Sequence, residues 1–151
     1  IKLFNNIFKI LIPCIEMKKR YVFLEHTADI KFRTYGKTLQ EVFEHAIEAL
    51  AEYMTDGQLP KKKKGKVIEV QGTDQESLLS NFIDELLFLV DAEHFLPLKG
   101  EVTLRGNNLK AEIYGTDTSP YQLKHIKAAT YSEMYIKKTK EGWEAQVVLD
   151  V

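Results

Sequence analysis

The sequence predicts an α+β domain, a mixed, largely antiparallel β-sheet with two main helices packed on one face. Three observations carry that prediction. Two long stretches, one ending near Met54 and one near Glu93, repeat apolar residues at helical spacing. The last third of the chain alternates apolar and polar residues in pairs of runs joined by short polar turns, as hairpins do. Before the hairpins, strands and helices come in alternating order, which allows some parallel pairing.

The first strand is residues 30–36, Ile-Lys-Phe-Arg-Thr-Tyr-Gly, which alternate apolar and polar and stop at Gly36. Thr38 is placed to cap the following helix, with Glu41 completing a capping box. Leu39, Val42, Phe43, Ala46, Ile47 and Leu50 then form one stripe, and Thr55-Asp56-Gly57 ends the helix. Residues 58–65 hold Pro60 and the run Lys61 to Lys64, a solvated loop. Val67 to Val70 is a short strand. Thr73 or Asp74 caps the second helix, with Glu76 or Ser77 in its first turn. This helix is the most apolar in the chain. Leu78, Leu79, Phe82, Ile83, Leu86, Leu87 and Val90 make a broad stripe, so it should be the central packing element.

Two hairpins follow. Val102 and Leu104 alternate outward, Gly106-Asn107-Asn108 turns the chain, and Leu109, Ala111 and Ile113 alternate back. Residues 115–124 read as a polar loop. The second hairpin runs from Ala129 to Thr139, turns at Lys140-Glu141-Gly142, and returns from Trp143 to the last residues. In that strand Trp143, Ala145, Val147 and Leu149 share one face, and Glu144, Gln146, Val148 and Asp150 share the other.

A length of 151 residues fits one domain, and 44% hydrophobic with 28% charged residues is the balance of a globular chain. Lys+Arg of 21 against Asp+Glu of 22 leaves a net charge of −1. That gives no general attraction to nucleic acid or to an anionic membrane. An RNA partner would have to be reached through a local patch or another protein. The one cysteine, Cys14, excludes an intrachain disulfide and a cysteine-based zinc site and makes the cytoplasm the expected compartment. Residues 1–16 are read as an N-terminal extension outside the domain. Met17-Lys18-Lys19-Arg20 opens a single domain over 17–151. The apolar run Ile7 to Ile12 is interrupted by Lys9 and is too short to span a membrane, and no small-residue cleavage site follows it.

The candidate chemistry lies at two points far apart in sequence, Glu25-His26-Thr27-Ala28-Asp29 and Asp150-Val151. Taken singly, Asp29 is a turn residue and Asp150 a solvated strand end. Taken together they are more informative. Two carboxylates held near 4 Å repel by roughly 4 kcal/mol at an effective dielectric of about 20, and a bound cation removes that repulsion. An all-oxygen site with few protein ligands suits Ca²⁺, Mg²⁺ or Mn²⁺. The α-carboxylate of Val151 would be a third donor. His26 could serve as acid, base or ligand, or as a hydrogen-bonded structural group beside Glu25. His45, His94 and His125 have no zinc-like spacing. Lys127 reads as a solvated lysine, and Asp84 and Glu85 as the solvated face of the second helix. The eight glycines are scattered and form neither GxGxxG nor GxxxxGK[ST], which argues against nucleotide binding by this chain alone.

These segments, in their order, resemble the archease family over Met17 to Val151. The likeness rests on Glu25 to Asp29, Met54-Thr55-Asp56, Ser77-Leu78-Leu79 through Asp84-Glu85-Leu86-Leu87, Ile126-Lys127-Ala128-Ala129-Thr130-Tyr131, and Val147 to Val151. The resemblance implies an accessory protein of the GTP-dependent, metal-dependent tRNA-splicing RNA ligase. Such a protein promotes ligase guanylylation and repeated turnover, and is not itself a catalyst. It further implies a divalent metal, expected to be Ca²⁺, held by Asp29, Asp150 and Val151, and a functional lysine at Lys127. The ligase would be the partner, with RNA contacted only indirectly and no membrane involved. The family usually has Thr-Tyr-His where this chain has Thr130-Tyr131-Ser132, a departure that leaves the metal ligands untouched. A chaperone or modulator of RNA-processing enzymes and a metal-dependent hydrolase are the alternatives.

Overall fold

A computed structural model describes residues 20–25 and 29–151. Among these, the order is β1 (Tyr21–Leu24), β2 (Ile30–Gly36), α1 (Leu39–Thr55), β3 (Lys64–Gln71), α2 (Gln75–Glu93), β4 (Phe95–Arg105), β5 (Asn108–Asp117), β6 (Ala128–Thr139) and β7 (Gly142–Asp150). The fold is α+β, but its strands form two sheets, ordered β1-β2-β7-β6 and β3-β5-β4. Every paired neighbour is antiparallel. The strand–helix–strand order did allow parallel pairing, and the reason none forms is visible in the second sheet. β3 and β4 run the same way on either side of α2 in sequence, yet β5 inserts between them and pairs with both.

The helix starts follow from their caps. Thr38 Oγ1 accepts the Glu41 N–H at 3.2 Å, while the Glu41 carboxylate reaches the N–H of Lys37 at 2.6 Å, one residue before the expected partner. Asp74 caps α2: its Oδ1 accepts from Ser77 N–H at 2.7 Å, and Ser77 Oγ accepts from the N–H of Asp74 at 3.1 Å. The reciprocal pair satisfies donors that the first helical turn leaves open. Asp56 and His94 close α1 and α2 in left-handed conformation, with φ of 54° and 53°.

One core joins the helices to both sheets. Phe43 of α1 and Phe82 of α2 lie 5.8 Å apart between ring centroids, and both are fully buried with Phe32 of β2 and Ile113 of β5. β4 starts seven residues before Val102 showed it, because Phe95 to Leu98 are all buried and so do not alternate. β5 likewise runs on through the buried Gly115 and Thr116, which had read as loop. Lys64 leaves the solvated lysine run to begin β3, where its ammonium meets Asp117 at 2.7 Å. β4 is a sheet edge, and Glu44 of α1 covers part of it: the carboxylate accepts the Val102 N–H at 2.8 Å.

Candidate metal centre

The β2–β7 register brings the two distant acidic segments together. Ile30 pairs with Leu149, and the ladder continues through Gly36 opposite Trp143. Asp29 precedes Ile30 and Asp150 follows Leu149, so continuing the same register puts them directly across from each other. Directly opposed residues point to the same face of a sheet, here the outer face shared by Lys31, Arg33, Gln146 and Val148. On the other side of β7, Ala128 pairs with Asp150, and the Lys127 N–H donates to the Asp150 carbonyl oxygen at 2.8 Å. Asp29, Lys127, Asp150 and Val151 therefore gather at one end of the four-stranded sheet. Lys127, Asp150 and Val151 are exposed, and Asp29 is half-buried. Glu25 is exposed at the end of β1, and His26 lies outside the described residues.

The donor chemistry fits a hard cation. Opposed residues on antiparallel strands have Cβ atoms about 4.5–5.5 Å apart, a gap that an ion with oxygen ligands at about 2.3–2.6 Å can bridge. Among the described residues no three His, Cys, Asp or Glu side chains group closely enough to hold an ion. The strand end thus supplies two side-chain carboxylates, and a third protein donor would be a main-chain oxygen of Val151.

Two supports of this end were not readable in the sequence. The first is Asp84, which had read as part of a solvated face. Its carboxylate accepts a hydrogen bond from the Ala129 backbone, and burial raises its pKa against the lowering effect of that bond. Asp84 thereby ties α2 to the start of β6, two residues past Lys127. The second is an arch in β6. Thr130 pairs with Val148 and Tyr135 with Gln146, so the residues between them leave the ladder. Glu133 in that arch has φ of 57°, a left-handed conformation uncommon outside glycine. Gln146 holds it in place: Nε2 donates to the Glu133 carbonyl at 2.7 Å while Oε1 accepts from Arg33 Nε at 2.9 Å. Gln146 and Val148 are both buried, although they sit on the face expected to be polar. Ser132 lies exposed on the arch, its N–H bonded to Thr130 Oγ1 at 3.0 Å. Tyr131 is 61% exposed beside it. The other histidines are structural or surface groups. His45 Nδ1 lies 2.5 Å from the Tyr35 carbonyl, His94 closes α2, and His125 is exposed.

Known proteins share this arrangement of elements. The profile of the Archease protein family (MTH1598/TM1083) matches residues 21–151. An archease from Pyrococcus abyssi is 40% identical over 141 residues, covering 88% of this chain and 99% of the relative. One from Methanosarcina barkeri is 36% identical over 143 residues, covering 88% and 97%. The solution structure of protein 1598 from Methanobacterium thermoautotrophicum superimposes with a TM-score of 0.69 at 30% identity, over 87% of this chain and 99% of that one. The fold also matches a crystal structure of an archease from Thermotoga maritima, described as a possible chaperone, with a TM-score of 0.60 at 20% identity. A small α+β protein with this strand order and these relatives falls into one class. The chain belongs to the archease family.

Proposed function

We propose that this chain is an accessory activator of a GTP-dependent tRNA-splicing RNA ligase, acting through a divalent cation at the end of β7. It promotes guanylylation of the ligase and its repeated turnover, and does not catalyse ligation alone. The observation that carries the reading is the register that sets Asp29 against Asp150 with Lys127 anchored to the same residue. Asp29, Asp150 and a main-chain oxygen of Val151 would hold the ion, with Ca²⁺ preferred and Mg²⁺ or Mn²⁺ as alternatives. The ion would supply positive charge for developing phosphate oxyanions.

The chain's own residues do the rest. Lys127 is an exposed ammonium on a strand start pinned from two sides, by the Asp150 carbonyl and by Asp84. A compact cation held in this way can meet phosphate charge at the mouth of a partner's active site. The near-neutral net charge suits a protein that meets RNA through its partner rather than by general attraction. No helix among the described residues is long and apolar enough to cross a membrane.

Multiple-turnover ligation and guanylylation by the cognate ligase, with and without this protein, test the proposal. Stimulation should fall sharply with Asp29→Ala and with Lys127→Ala. Normal stimulation by either variant would remove that residue from the mechanism. A chaperone reading draws on the exposed Leu59, Val67, Phe88 and Tyr131 and on the description given to the Thermotoga maritima relative. It predicts suppressed aggregation of unrelated clients, undiminished in Asp150→Ala.

A further inference from the structure

The outer face behind the carboxylate pair holds a lysine of its own. Lys31 follows Asp29 by two residues on β2, so both side chains stand on the same face. Its cross-strand neighbours are Leu24 of β1 and Val148 of β7. Between these apolar neighbours the Lys31 side chain is only 17% exposed. Asp150 stands diagonal to Lys31, at the j+2 position, where Cα atoms are about 7–8 Å apart and long side chains still meet. Asp29 and Asp150 thus share the face of Lys31 one step along the sheet, and Glu133 is the carboxylate its ammonium is drawn to. In the structure it lies 3.7 Å from Glu133 Oε2.

Glu133 owes its position to the arch. Its left-handed backbone is unfavourable for a residue with a side chain. Gln146 and Arg33 hold the arch there with two hydrogen bonds, and Gln146 is 5% exposed. A buried amide with both ends used, supporting one strained residue, makes the arch a preformed element.

We propose that Lys31 is a built-in competitor for the cation at Asp29 and Asp150, and that Glu133 restrains it by drawing its ammonium aside. The inference rests on the metal reading of the strand end. Without Glu133 the ammonium turns to the two carboxylates and opposes the ion. Lys31 and Glu133 are positioning residues that set how tightly the ion is held, and so how readily it can pass to or from a partner.

Calorimetric titration of the purified protein with Ca²⁺ alone tests this. Lys31→Met should tighten binding and Glu133→Gln should weaken it, each by roughly three- to tenfold, the scale of one unit charge acting on a divalent ion through partly solvated space. The deciding measurement is the double variant. In the Lys31→Met background, Glu133→Gln should change the affinity by less than about twofold, because the restrained group is gone. Lys31→Gln, which keeps a polar tip, repeats the test if Lys31→Met fails to fold. Equal effects of Glu133→Gln with and without Lys31 would overturn the inference, as would unchanged affinity in both Lys31 variants. A wild-type protein that binds no Ca²⁺, Mg²⁺ or Mn²⁺ would instead overturn the metal reading beneath it.

Discussion

Asp29 and Asp150, separated by most of the chain, face each other across adjacent strands because Ile30 and Leu149 pair beside them. That register is held from within. Phe32 and Thr34 of β2, with Ala145 and Val147 of β7, are fully buried, and a one-residue slip would turn them out to solvent. The position of the acidic pair is thus a consequence of hydrophobic packing several residues away.

An ion at this pair would bind the native chain and not the unfolded one. Calcium at roughly a hundred times its Kd should then stabilise the protein by about 2.7 kcal/mol. Thermal unfolding with and without Ca²⁺ reads this as a rise in Tm that EDTA reverses. Asp150→Asn should abolish the rise while leaving the metal-free Tm within a few degrees.

Glu44 should make stability depend on pH in an unusual direction for a carboxylate. Burial raises its pKa above 4.5, and the Val102 N–H bond only partly offsets this. The folded chain thus keeps this proton where the unfolded chain has released it. Glu44's contribution is greatest below the unfolded pKa and declines as pH rises through the folded one. Glu44→Gln retains an oxygen for the Val102 N–H without the buried charge. Urea denaturation from about pH 4 to 7 should show the variant gaining on the wild type as pH rises.

Leu86 is 1% exposed on the inner stripe of α2. Leu86→Ala should cost about 2–5 kcal/mol, through lost transfer energy and the cavity left behind. Denaturant unfolding should show a lower midpoint with an unchanged slope.

Gly142 closes the last hairpin at φ 146°, and a Cβ there would run into the Gly36 carbonyl oxygen. Gly142→Ala should destabilise by about 1–3 kcal/mol, combining backbone strain with the clash. The same change at Gly106, where a Cβ would meet nothing within 4 Å although φ is 59°, should cost less in the same assay.

Local features were legible wherever one face of an element is buried and the other solvated. Both helices, their caps near Thr38 and Asp74, and both hairpin turns could be read from residue spacing. β1 was not, because four residues of Tyr21–Leu24 with no clear alternation leave too little pattern. Phe95 to Leu98 failed for the opposite reason: burial on both faces erases the period of two. At the candidate site, Asp29, Lys127, Asp150 and Val151 stood out through motifs. Asp84, Lys31, Glu133 and Gln146 did not, since each is an ordinary polar residue in an ordinary pattern.

By itself the amino-acid order determined the helices, the hairpins and the presence of acidic groups near both ends of the domain, because periodicity and turn chemistry act over a few residues. Only the tertiary structure decided that the strands divide into two sheets, that β5 separates β3 from β4, and that an arch held by Gln146 covers the outer face. Those outcomes depend on which strand edges meet and what lies above them. Pairing energy between segments a hundred residues apart leaves no local trace, so residue spacing shows neither the meeting of Asp29 with Asp150, which only the family resemblance implied, nor the company Lys31 keeps.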